Sequence, residues 1–371
     1  MIPVFKPSLG EEEIAAIRET FASGWIGLGP KTKEFEHRFA DYIGTPHAIG
    51  VNSATAALDL SLKAFHINSG EILIPAITFV STAHAAVYNH ATPVLVDVSR
   101  DTLCMDIDDL QEKITEKTRA IIPVHLGGHP CDMDPILELA GDHNLVVIED
   151  AANAAGAEYK GQKVGSLGDA GCFSFQATKN MTTGDGGMIT TSHGEIVERL
   201  QRLRWVGINL DTWKRNANPE RYSWYYEVDE VGYKYHMNDI QASIGLVQLQ
   251  KLDTMNEARR NIARNYGHAL SPLQPISLPV EKPWANHVYW LYTMKMKERD
   301  EFISHMSRHG IATGVHFMPV HHHPIYAALS GDVPVAENIW KEIVDIPLFP
   351  DLNGDEMHRI ISAVRTFFSP D

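Results

Sequence analysis

The sequence predicts an α/β protein, with a large domain built on a mainly parallel sheet flanked by helices and a small C-terminal α/β domain after it. Three observations carry this. Short apolar runs alternate with helix-period patterns through the first half of the chain. Those runs are apolar on both faces, as strands covered on both sides are. The rhythm then changes around a proline-marked loop from Pro272 to Pro283.

Taken in order, Ser8 and Glu11 have capping-box spacing and Ile14, Ile17 and Phe21 recur on one face, so a first helix is expected to begin at Ser8. A second follows at Phe35, Phe39 and Tyr42. The strand-like runs are AIGV at 48–51, EILIP at 71–75, PVLVDV at 93–98, AIIPVH at 120–125 and LVVIED at 145–150, with CFSF at 172–175 and GMITT at 187–191 extending the sheet. A long helical pattern from Asn238 to about Tyr266 sets Ile240, Ile244, Val247 and Leu252 on one face. Beyond the proline loop, VYWLYTMKM alternates like a strand, and Phe302, Ile303 and Met306 suit a helix that Gly310 ends. IATGVHF reads as a further strand, and Asn353, with Glu356 three residues on, caps a closing helix that turns Ile360, Val364 and Phe367 inward. We set the domains at 1–255, including the N-terminal segment and an aromatic loop over 205–230, and at 256–371.

Composition narrows the function. A chain of 371 residues, 44% hydrophobic, can bury a sizeable core. Its formal charge of -15, from 32 basic and 47 acidic side chains, opposes a nucleic-acid partner. Cys104, Cys131 and Cys172 are odd in number and lack metal-type spacing, which points to a reducing compartment, the cytoplasm. Neither a secretion signal nor a membrane-length apolar run is legible, so no membrane association is expected.

The chemistry-bearing residues gather around strand ends. Asp150 closes the run LVVIED, which places its carboxylate at the carboxyl edge of the sheet, where open α/β folds bind ligands. Lys179 follows the strand FSF and precedes the hydroxyl- and glycine-rich turn TTGDGG. A lysine desolvated there has a neutral amine able to attack an aldehyde, and a carboxylate nearby can keep a pyridine nitrogen protonated, so that the ring accepts electrons. Ser53, Ala54 and Thr55, in VNSATAALDL, form either a plain helix cap or a phosphate-binding turn. Ser174 can add a phosphate contact, and Phe79 either stacks on a ring or fills core. Trp213, Tyr222, Trp224 and Tyr225, with Arg215 and Arg221, read as a lid or subunit-contact loop, a nucleotide-sugar contact being the alternative. His316, His321, His322 and His323 fit no familiar zinc spacing, so no metal is expected. Without GxGxxG after the first strand, a nicotinamide-dependent oxidoreductase is disfavoured.

As a set, GWIGLGPKTKEFE, NSATAALDL, PAITFVST, VIEDAANAAGAEYKGQKVGSLGDAGCFSF, QATKNMTTGDGG, GYKYHMNDIQASIGLVQL and VHFMPVHHHP follow in order the motifs of the DegT/StrS sugar aminotransferases. The chain resembles that family over essentially its whole length. The resemblance implies the pyridoxal-phosphate-dependent fold type I of aspartate aminotransferase, with pyridoxal 5'-phosphate as cofactor. It implies that Lys179 is the Schiff-base lysine, that Asp150 partners the pyridine nitrogen, and that Phe79 stacks on the ring. Ala54, Thr55 and Ser174 match phosphate-contacting positions, with Ser53 beside them. Asn153 stands where Gln or His commonly meets the ring hydroxyl. Lys234 stands where an Asn often reaches the phosphate across a dimer interface, and His236 is the alternative there. His316, His321 and Trp25 are expected at the sugar pocket. A branch of the family with histidine at the lysine position performs dehydration, and Lys179 argues against that branch. The implied reaction moves an amino group from L-glutamate to a nucleotide-linked keto sugar, first of all a 4-keto-6-deoxy sugar, in amino-sugar and polysaccharide (lipopolysaccharide, O-antigen) biosynthesis. A 3-keto sugar, a keto-cyclitol and a non-catalytic regulator of the same fold stand as alternatives. The implied assembly is a homodimer with active sites at the subunit interface.

Overall fold

Three consecutive residues, Ile72, Leu73 and Ile74, are wholly buried, which a strand achieves only when both faces of its sheet are covered. The computed structural model describes residues 1–210, 212–213, 224–329 and 331–368. Nine of its strands lie in the first part of the chain: β1 (His47–Val51), β2 (Glu71–Pro75), β3 (Thr92–Val96), β4 (Thr118–Ile121), β5 (Val146–Asp150), β6 (Glu158–Tyr159), β7 (Gln162–Lys163), β8 (Ala170–Ser174) and β9 (Gly187–Thr191). Seven of them form the central sheet in the order β1-β9-β8-β5-β4-β2-β3. β2 pairs parallel with β3 and β4, β4 with β5 and β5 with β8, whereas β9 runs antiparallel between β1 and β8. Asp150 stands opposite Cys172, and Val51 opposite Gly187, so the ends of β1, β5 and β8 and the start of β9 share one edge.

The later strands are β10 (Ala285–Asn286), which joins β6 and β7, and the antiparallel pair β11 (Tyr292–Lys295) and β12 (Ile343–Ile346). The helix Asp239–Leu270 starts at the expected cap, where Asn238 Oδ1 accepts Gln241 N–H. Its first half gives Ala242, Leu246 and Leu252 to a core with Phe35, Phe39 and Phe173. Its second half gives Ile262, Tyr266 and Leu270 to another with Tyr292, Phe302 and Val364. Residues 255 and 256, where the two parts were divided, fall between these halves within one uninterrupted helix. Among the described residues no helix is long and apolar enough to cross a membrane.

The structure corrects four local expectations. The first helix is Glu11–Ala22, capped at Gly10, whose N–H donates to Glu13 Oε2 at 2.7 Å, while the Ser8 hydroxyl donates to Asp351 instead. Its apolar face points outward: Ile14 and Phe21 are 42% and 57% exposed, while Glu13 is buried on Lys251 and Gln248 of the long helix. The run 120–125 is strand only as far as Ile121. IATGVHF makes single bridges, Ile311 to Ile2 and Gly314 to Asp345, and forms no continuous strand; IVDI at β12, unread in the sequence, pairs with β11.

Candidate active site

The shared edge of β1, β5, β8 and β9 opens into a cavity of about 500 Å³. Asp150, the last residue of β5, enters it almost fully buried. Its Oδ2 accepts the Thr82 hydroxyl at 2.9 Å and its Oδ1 the Ala152 N–H at 3.2 Å. Thr78 in turn meets the Thr82 hydroxyl at 2.8 Å. Burial pushes the Asp150 carboxyl up from its usual range, against the opposing pull of Thr82, of the Ala152 amide and of the Lys179 charge.

Lys179 lies five residues beyond the end of β8, on a loop pinned from several sides. Asn180 donates to Asn256 at 2.7 Å, Thr182 N–H to Gln248 at 3.2 Å, and Thr183 N–H to Phe175 O at 2.9 Å. The lysine Nζ rests 3.5 Å from the centroid of the Trp290 ring, and the indole N–H donates to Thr178 O at 2.8 Å, fastening ring and loop together. Burial lowers the amine to about 7, with Asp150 pulling the other way. An amine so placed is available in its neutral, nucleophilic form near neutral pH.

At the other end of the cavity the chain turns from β1 into the helix Ala54–Ala64. The Ser53 hydroxyl accepts Ala56 N–H at 3.1 Å, which leaves the first two amides, of Ala54 and Thr55, without an intrahelical acceptor. Thr55 and Ser81 share a 2.7 Å hydroxyl contact at the same cavity. A Cβ at Gly187 would lie 2.5 Å from the Ser53 carbonyl carbon, so only glycine lets β9 approach this turn. Free amides at a helix start, beside hydroxyls, are an anion site.

Of the residues expected from sequence, Lys179, Asp150, Ser53, Ala54, Thr55, Phe79, Asn153, Ser174 and His316 line this one cavity. Phe79 is 57% exposed with its ring 5.7 Å from that of Phe317, and is therefore not core. Within one chain Lys234, His321 and Trp25 are not brought there. Lys234 Nζ sits 3.4 Å from the centroid of the Trp205 ring. His321 and His322 both reach Glu337 Oε1 outside the cavity. Trp25 donates to Leu28 O and meets Trp213 edge-on. Tyr222, Arg215 and Arg221 lie outside the described residues. The sequence reading missed Thr82, Trp290 and Phe317. Thr82 stands in the quoted PAITFVST and Phe317 in VHFMPVHHHP, each close to an expected site residue, which was the available signal; Trp290, read only as part of a strand, carried none.

Residues 7–365 match the model of the DegT/DnrJ/EryC1/StrS aminotransferase family. The chain is 42% identical to the spore coat polysaccharide biosynthesis protein SpsC of Bacillus subtilis, covering 98% of this chain and 96% of that protein. The crystal structure of the aminotransferase TlmJ from Streptoalloteichus hindustanus superposes with a TM-score of 0.93 at 34% identity, over 99% of this chain and 98% of that one. The putative sugar aminotransferase Spr1654 from Streptococcus pneumoniae, in its PMP-form, gives 0.92 at 33% identity, again over 99% and 98%.

Proposed function

Because the chain belongs to the DegT/DnrJ/EryC1/StrS family, and so is a pyridoxal-phosphate-dependent sugar aminotransferase of fold type I, we propose that it moves the amino group of L-glutamate to a nucleotide-linked 4-keto-6-deoxy sugar. The observation that carries the cofactor chemistry of this reading is the pairing, in one cavity, of a carboxylate with spare acceptor capacity and a lysine amine lowered to about 7, while the sugar substrate is supported by the family. When bound, the cofactor supplies an aldehyde carbon that joins an amine and a pyridinium ring that accepts an electron pair.

The residues fit that group. Asp150 has one donor on each oxygen and would hold the ring nitrogen; a cation set there would help offset the burial that raises its pKa. Lys179 would hold the aldehyde carbon. The amides of Ala54 and Thr55, with Ser53 and Ser174, would hold the phosphate, in the cradle that Gly187 leaves open. Phe79 would lie against the ring and Asn153 beside its hydroxyl. Once displaced, the Lys179 amine would take the proton from the donor's Cα and return one to the sugar carbon. Thr82 keeps the Asp150 carboxylate aimed throughout.

We further assign a homodimer, a cytoplasmic location and a role in polysaccharide biosynthesis, the last supported by the likeness to SpsC. Apolar surface on and beside the first helix supports the dimer: Leu9, Ile14 and Ile17 border an open hollow of about 540 Å³, and Phe21 and Ile26 are exposed. Lys234 would then reach the phosphate held by the second copy, and Trp25 and His321 the sugar. The test adds L-glutamate to the purified holoenzyme, then dTDP-4-keto-6-deoxyglucose. Loss of the visible cofactor band in the first step and an aminated sugar in the second are expected. A band indifferent to glutamate, or amination confined to 3-keto sugars, would overturn the assignment.

A further inference from the structure

His316 is expected at the sugar pocket, but the contact that orients it has no part in the scheme above. His316 lines the cavity, and its Nδ1 lies 2.6 Å from Asp345 Oδ2. Asp345 is wholly buried, and its other oxygen accepts the Thr293 hydroxyl at 2.5 Å. Strand register explains this contact: β11 and β12 are antiparallel, with Thr293 directly opposite Asp345. On the far side Gly314 and Asp345 exchange backbone hydrogen bonds of 3.1 and 2.8 Å. A Cβ at Gly314 would lie 2.8 Å from His316 Cε1 and 3.4 Å from Asp345 Oδ2, so glycine leaves the room in which imidazole and carboxylate meet. Phe5, Trp290 and Phe317 meet the imidazole edge-on, at centroid distances of 5.5, 5.5 and 4.9 Å. The ring is thus fixed in both position and rotation.

A carboxylate only accepts, so Nδ1 carries a proton toward Asp345, and Nε2 is the ring nitrogen left to meet a ligand. Among the described residues Nε2 has no hydrogen-bond partner. A sugar hydroxyl both donates and accepts, so it can pair with this nitrogen. We infer that Asp345 is a positioning residue that holds His316 with Nε2 free in the cavity, where it meets a hydroxyl of the keto sugar. This rests on the proposed reaction, which assigned His316 no orientation and Asp345 no part.

The test separates the two halves of the reaction in the holoenzyme, with L-glutamate read by the cofactor band and dTDP-4-keto-6-deoxyglucose by steady-state kinetics. Asp345→Asn and His316→Ala should each raise KM for the sugar about tenfold, the worth of one good hydrogen bond, and by more than they slow the glutamate step. The double variant should be no worse than His316→Ala alone, because Asp345 acts through the ring. Thr293→Val removes one donor to Asp345 without touching the imidazole; it should shift KM the same way by about threefold, and it serves if Asp345→Asn does not fold. Additive effects of the two single changes, or an equal loss in the glutamate step, overturn the inference. Wild-type protein inert to glutamate refutes the proposed function itself. Wild type active in both steps, with variants that match it, refutes only the His316–Asp345 assignment.

Discussion

Glu149 and Asp150 are adjacent on β5, and strand alternation sends them into two different regions of the molecule. Behind the sheet, Glu149 is saturated. Its Oε2 accepts His125 Nε2–H at 3.0 Å and Gly165 N–H at 2.7 Å, and its Oε1 accepts Leu167 and Gly168 N–H, both at 2.8 Å. On the cavity side Asp150 has half as many donors and a wall of space before it. Both acids are buried, so burial does not separate fastening from chemistry. What separates them is whether the chain's own donors fill the carboxylate.

Breaking the cavity side should have the largest effects. Lys179→Ala is expected to cost on the order of 10⁴-fold or more in amino transfer, read as product formed per cofactor bound. The same amine sets a pH dependence. Its folded value, about 7, lies below that of an exposed lysine, so between the two the unfolded chain binds more protons and stability rises with pH. Cofactor uptake by the apoprotein, followed by absorbance, should therefore climb with pH and level off above about 7; a flat profile would mean the buried amine is not what limits capture. Asp150→Asn should retain the fold and lose about 10²–10³-fold in kcat, whereas near-normal turnover would remove its assigned role. Glu149→Gln is the mirror experiment. It should cost about 3–5 kcal/mol in denaturant unfolding while the kcat of the folded fraction stays within a few-fold, because it strips acceptors from a buried cluster that touches no ligand. Equal losses of activity from Glu149→Gln and Asp150→Asn would erase the distinction between the two regions. Thr82→Val should be the mildest, about tenfold in kcat with little change in stability, since it removes one of two donors to Asp150.

Much of the cavity side was legible in the sequence, because strands apolar on both faces are easy to place and their carboxyl ends follow. EILIP and GMITT coincide with β2 and β9 residue for residue, and the NSAT turn, Asp150 and Lys179 converge as their positions after strands imply. What escaped reading depends on contacts distant in sequence. Glu13 is buried because Lys251 and Gln248, more than two hundred residues away, receive it, and that turns the apolar stripe of the first helix outward. Asp345 sits in a four-residue strand whose partner and purpose lie on other segments. Trp25, Lys234 and His321 carry expectations that one chain by itself does not bring to the cavity.

The helix Asp239–Leu270 has a practical consequence of its own. Thirty-two residues at 1.5 Å each make a rod of about 48 Å that is inner wall to one core and outer wall to another. For anyone recombining this chain with a relative, a crossover at residue 255 would leave each half of the helix with its own core and place the seam within the rod itself. A junction after Leu270 would keep the rod whole but part Ile262, Tyr266 and Leu270 from Tyr292, Phe302 and Val364, so the second core is what such an exchange has to match.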